Sequence, residues 1–189
     1  MSATGSAVRY LIDSPMSRFT VRAFATGLFS SLGHNPTIAI RGYTGEAEFV
    51  PENLQQAFVR ISVQSASLEV TDDVSQKDRA DIEGKMKQEV LETPIYPEIV
   101  FESSLISPNK MGENQYSVNV VGKLTLHGVT RNETVYAQVS LTGGTLRAYG
   151  ELSLKQTDYG IKLVSVAGGT LKVKDEVKLS FDVTARKQG

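Results

Sequence analysis

The feature that most constrains this chain is an alternation of apolar and polar residues, sustained for whole strands at a time. Tyr116, Val118, Val120, Gly122, Leu124 and Leu126 hold one phase of the first long run. Val135, Ala137, Val139 and Leu141 follow, then Leu146, Ala148, Gly150, Leu152 and Leu154. Near the end, Val177, Leu179, Phe181, Val183 and Ala185 alternate with Lys178, Ser180, Asp182 and Thr184. Phe19, Val21 and Ala23 alternate with Arg18, Thr20 and Arg22 near the start. A period of two marks strands with one buried face. Strands this long suit an antiparallel sheet that closes on itself, and Gly143-Gly144 reads as a two-residue hairpin turn between two of them. The expected fold is all-β, a single antiparallel barrel.

Two places interrupt the alternation. Val59, Ile61 and Val63 occupy odd positions, whereas Ala66, Leu68 and Val70 occupy even ones. A β-bulge near Gln64-Ser65 would absorb that slip and add the twist a closing barrel needs. Residues 75–91 read as one surface helix, opened by Ser75 and Asp78 in capping-box spacing and stopped by Pro94 and Pro97. Its apolar stripe is narrow, with Ile82, Met86 and Val90 at four-residue spacing. A second apolar stretch, Phe24 to Leu32, is predicted to be a short helix, although Gly27 weakens it. Repeats, linkers and low-complexity tracts are absent. The predicted organisation is a flexible N-terminus over residues 1–7, then one domain over 8–189.

Composition thins the list of functions. Twenty basic against 21 acidic side chains leave a net charge of -1, too little basic field to grip nucleic acid or anionic lipid. With no cysteine there is no disulfide, thiolate nucleophile or Cys-type zinc site. No apolar run approaches 18 residues, so no membrane-spanning helix is predicted. The opening residues Met1 to Ala7 lack the basic and apolar regions of a secretory signal, so the chain as written is expected in the cytosol.

The two histidines are left as turn residues. His34 lies in Leu32-Gly33-His34-Asn35-Pro36 with no acidic side chain within ten residues, and His127 precedes Gly128 at a tight turn. Asp72, Asp73, Asp78, Asp81 and Glu83 cluster where they would stabilise a helix N-terminus. No phosphate-binding, dinucleotide or nucleophile-elbow motif is present. No catalytic residue, metal ligand or cofactor is assigned.

The apolar phase carries an unusual number of small residues: Ala23, Gly122, Ala137, Ala148, Gly150 and Ala185. They leave room for an apolar ligand, or they pack against Phe19, Phe101 and Phe181. Strand phase selects Phe19, Val21, Ile61 and Phe101 as lumen-facing. It adds Tyr116, Val118, Val120 and Leu124, and then Ala137, Val139, Ala148, Leu152, Leu179 and Phe181.

Four blocks of the sequence bear a resemblance. They are Tyr10-Leu11-Ile12-Asp13 with Ser17 and Phe19, and Gly42-Tyr43-Thr44-Gly45-Glu46 with Phe49. The third runs from Lys77-Asp78-Arg79 through Tyr96-Pro97-Glu98-Ile99-Val100-Phe101-Glu102-Ser103, and the fourth from Gly122 to Thr130. Asp158-Tyr159-Gly160-Ile161 and Asp175-Glu176-Val177-Lys178-Leu179 extend the likeness to the tail. Together they resemble the YceI-like family of lipid- or polyisoprenoid-binding proteins. The resemblance implies a lipocalin-like, eight-stranded barrel holding a long isoprenoid or fatty chain. It also implies no shared catalytic residues, a periplasmic address as the alternative to the cytosol, and dimerisation as an option. The chain departs from the family where Glu89-Val90-Leu91 replaces an aromatic pair. The leading expectation is a non-catalytic carrier or sequestering protein. An isomerase- or cyclase-like barrel enzyme, with Tyr116 as its acid, and a packed structural barrel with a protein partner are the alternatives.

Overall fold

The computed structural model describes residues 5–27, 35–51, 53–166 and 171–189. In chain order the strands begin with β1 (Val8–Ile12), β2 (Arg18–Arg22), β3 (Ala25–Gly27), β4 (Thr37–Ile40) and β5 (Tyr43–Val50). Next come β6 (Asn53–Gln64), β7 (Leu68–Val70), helix α1 (Gln76–Lys85) and β8 (Glu98–Gly112). The long strands β9 (Gln115–Leu126), β10 (Val129–Thr142) and β11 (Thr145–Lys155) follow. Short β12 (Ser165–Val166) and β13 (Leu171–Val173) precede the last strand, β14 (Glu176–Lys187).

The strands close into an eight-stranded antiparallel barrel, in the order β1-β5-β6-β8-β9-β10-β11-β14 with β14 returning to β1. Three staves are broken in the middle. A 3-10 turn at Ser14–Met16 separates β1 from β2, yet both halves pair with β14. The second half carries the sheet on, since β2 pairs with β4 and β4 with β7. Strand pairing therefore follows chain order all the way round, the simplest closure for sequential hairpins. Gly143 and Gly144, at φ +56 and +77, make the expected turn between β10 and β11.

The predicted bulge at Gln64-Ser65 is a 3-10 turn, Ser65–Ser67, which reverses the phase by inserting an odd number of residues. Ser65 is buried there, its amide donating to Pro97 O at 2.9 Å and its hydroxyl to Tyr96 O at 2.7 Å. Beyond the turn the strand loses its partner β8 and pairs on its other side with β4, where it had paired with β5. Register shifts occur elsewhere: in β8 between Ser103 and Leu105 and between Lys110 and Gly112, and in β5 between Glu48 and Val50. The expected helix after β2 is also corrected. Residues 25–27 are strand, paired with β13, because the backbone there completes a three-stranded flap. Residues 28–34, including His34, lie outside the described residues, as does the start of the N-terminal segment at 1–4.

The helix forms as its cap predicts. Ser75 Oγ accepts the Asp78 amide at 3.1 Å and donates to the Asp78 carboxylate at 2.6 Å. No residue of α1 itself is buried, and the following wide turn, Met86–Val90, carries the anchor Met86. Where β8 stops pairing with β6 at Glu98, β7 is left with an open edge that α1 covers. The Val70 amide donates to Glu83 Oε1 at 2.9 Å, while Arg79 donates to the carbonyls of Val70 and Asp72. Side chains of the helix thus occupy hydrogen-bonding groups that would otherwise template another strand. Asp72 was expected to serve the helix N-terminus; its carboxylate instead accepts the Thr37 amide at 2.6 Å. No helix among the described residues is long and apolar enough to cross a membrane.

Candidate functional site: the barrel lumen

Alternation sends one face of every long strand inward, and the inward faces do not meet. They leave a lumen of about 530 Å³, within the range of about 300–1,000 Å³ typical of ligand pockets. All fourteen residues selected by strand phase line it, from Phe19 on β2 to Phe181 on β14. Val120, Val139, Leu152 and Leu179 point inward but stay half-buried, because unfilled space, rather than another side chain, faces them. The opposite phase is outside: Arg22 and Lys123 are exposed, and Lys178 reaches Glu151 at 2.6 Å on the outer wall.

Two ends bound the lumen. At the end carrying the turns after β8 and β10, Tyr10 and Phe49 stack with centroids 5.5 Å apart beside Ala185. At the other end, Ile82, Met86, Val90 and Leu91 form a cover packed on Leu68, Val70 and Val63. Polar groups on the lining are few. Lys85, on the helix, pairs with Glu89 at 3.3 Å, and Gln156 donates to Lys174 O at 2.9 Å. Glu46 borders the wall but is held by Arg9, whose Nε donates to it at 2.7 Å. Among the described residues, Tyr116 contributes the one phenol on the lining.

The small inward residues serve two purposes. A methyl group added at Gly122 would lie 2.5 Å from Phe101 Cζ, and one at Gly150 would lie 2.8 Å from Phe181 Cζ. Those glycines therefore house aromatic rings. Ala137 and Ala148, by contrast, border the open lumen.

His127 sits at φ +51 in the β9–β10 turn, as its Gly128 neighbour implies. Its role extends beyond the turn. Its Nε2 lies 2.7 Å from Glu92 Oε2 and its Nδ1 3.2 Å from Tyr159 O, while the ring packs on Tyr96. Each ring nitrogen thus faces one oxygen acceptor. Tyr159 is fully buried and donates to Glu133; burial, then that hydrogen bond, raises its phenol well above the usual range. Burial likewise raises the Tyr43 phenol, against a smaller pull from Arg41, and its hydroxyl donates to Ser17 O at 2.8 Å. This clasp was invisible in the sequence, because its members are 35 and 32 residues apart. No cluster of His, Asp or Glu among the described residues is arranged to hold a metal ion.

With this geometry in hand, the YceI-like domain profile matches residues 10–185. The chain belongs to the YceI-like family. Solved structures show the same fold at low identity. Burkholderia cenocepacia BcnA is 22% identical with a TM-score of 0.67, covering 92% of this chain and 98% of that one. A polyisoprenoid binding domain from Saccharophagus degradans is 15% identical with a TM-score of 0.67, covering 95% and 98%. The YCEI protein of Campylobacter jejuni is 15% identical with a TM-score of 0.61, covering 83% and 88%. No curated protein matches the chain.

Proposed function

We propose that this YceI-like protein carries or sequesters one long apolar molecule in its lumen, without converting it chemically. The ligand class is a polyisoprenoid, an isoprenoid quinone or a fatty lipid. The observation that carries the reading is the open, apolar-walled space of about 530 Å³ at the centre of a closed barrel. Burial of chain is worth about 0.8 kcal/mol per CH2, so roughly ten methylenes supply about 8 kcal/mol without a polar anchor. The Saccharophagus degradans relative, described as polyisoprenoid binding, supports that ligand class. The ligand contacts are the fourteen inward residues, and residues 8–189 act as one domain. The test is mass spectrometry of lipid extracted from the purified protein, followed by rebinding to the delipidated form. A stoichiometric long-chain lipid that rebinds is the expected result. A protein that yields none and takes up none overturns the reading.

A further inference from the structure

We infer that Tyr116 is the polar anchor of the lumen, its phenol donating to an uncharged, carbonyl-type oxygen at one end of the bound chain. The inference rests on the carrier reading and adds the chemistry and direction of the ligand's polar end.

The chain has 7 tyrosines, and all but one stand away from the lumen. Tyr43 and Tyr159 are buried and donate to Ser17 O and to Glu133. Tyr10 stacks on Phe49, and Tyr96 packs on His127. Tyr136 and Tyr149 are exposed, on the outward phase of β10 and β11. Tyr116 lines the lumen, half-buried, and its hydroxyl makes no hydrogen bond to any described residue. Apolar side chains surround it. Val139 faces it on β10, Val118 is the next inward residue of β9, and Ile106 and Pro108 line the adjoining stretch of β8. Phenylalanine would pack here as well, so the hydroxyl is the group that needs a reason. A hydrocarbon seated against a hydroxyl takes away its water and returns nothing, whereas a carbonyl oxygen restores a hydrogen bond.

The surrounding charges favour an uncharged partner. Among the described residues on the lining, the one cation is Lys85, which lies on the helix and pairs with Glu89 at 3.3 Å. Lys110, across from Tyr116 on β8, is exposed and stands outside the lining. Position then gives direction. Tyr116 is the second residue of β9, whereas Leu126, at the other end of that strand, packs with the helical cover. A ligand bonded to Tyr116 therefore lies with its oxygen towards the β8–β9 turn and its chain towards the cover.

The experiment uses methyl pentadecyl ketone and heptadecane, chains of equal length, as probes of delipidated wild type, Tyr116→Phe and the outer-wall control Tyr149→Phe. Tyr116→Phe should bind the ketone about two- to tenfold more weakly and the alkane within about twofold of wild type. Tyr149→Phe should change neither. The infrared carbonyl stretch of the bound ketone should lie lower in wild type than in Tyr116→Phe. From a mixture of the ketone with heptadecanoate at about pH 8, where a carboxylate is ionised, wild type should retain mainly the ketone. Unchanged ketone affinity in folded Tyr116→Phe overturns the inference, and so does retention of mainly the carboxylate. A wild-type carbonyl stretch equal to that in hexane also overturns it, and that spectrum decides even if the variant fails to fold. Wild type that takes up none of the probes brings down the carrier reading instead.

Discussion

Glu92 and His127 meet at 2.7 Å although 35 residues separate them, and both adopt left-handed backbone, at φ +45 and +51. The contact ties the segment after the helical cover to the turn between β9 and β10. Through the Tyr159 carbonyl it also ties in the segment after β11. One imidazole thus fastens three connections at the covered end of the lumen.

Replacing His127 with Ala should cost about 1–3 kcal/mol, the usual penalty for leaving a partly buried polar group unpaired. The loss should be local. Hydrogen exchange in residues 86–97 should accelerate more than in β10 or β11, and equal acceleration everywhere would contradict the clasp.

Met86, buried together with Leu91, anchors the cover. Met86→Ala should cost about 2–5 kcal/mol and speed lipid release. Stopped-flow measurement of release from loaded protein, alongside chemical denaturation, reads both effects. Unchanged release from a destabilised protein would show that the helix supports the wall without gating the lumen.

Filling the open side of the lumen distinguishes cavity from core. Overpacking a dense core costs about 1–3 kcal/mol, whereas leucines at Ala137 and Ala148 enter space that the barrel leaves open. The Ala137→Leu/Ala148→Leu protein should therefore melt at the wild-type temperature or above when delipidated, and it should no longer bind geranylgeraniol. Calorimetry with a binding assay checks both halves.

Alkaline pH should destabilise the fold in a defined window. The phenols of Tyr159 and Tyr43 have raised pKa values in the folded state, against an ordinary value of 10.0. Below pH about 10 both states keep these protons and their contribution is whole. Above it the unfolded chain releases protons that the folded barrel retains, so stability falls as pH rises towards the folded-state values. Tyr159→Phe should flatten that decline while lowering stability at neutral pH, since Glu133 loses its donor. Melts between pH 7 and 11 show the slope.

The sequence by itself determined the long strands, their phases and the helix cap, and the family resemblance carried the barrel. Period-two alternation is a local property, and a strand such as β9 can place Val118 and Val120 inward whatever its neighbours are. Ser75 finds Asp78 three residues away for the same reason. Tertiary structure alone decided how the phases are used. Whether a small inward residue leaves space depends on the strand beside it: Gly150 receives the Phe181 ring, while Ala148 borders the open lumen. The slip after Val63 was legible, but its solution was not, because the 3-10 turn is set by Ser65 reaching Tyr96 and Pro97 across the chain. The bond from His127 to Glu92 has the same cause. Contacts between residues distant in sequence depend on barrel closure, which no local pattern encodes.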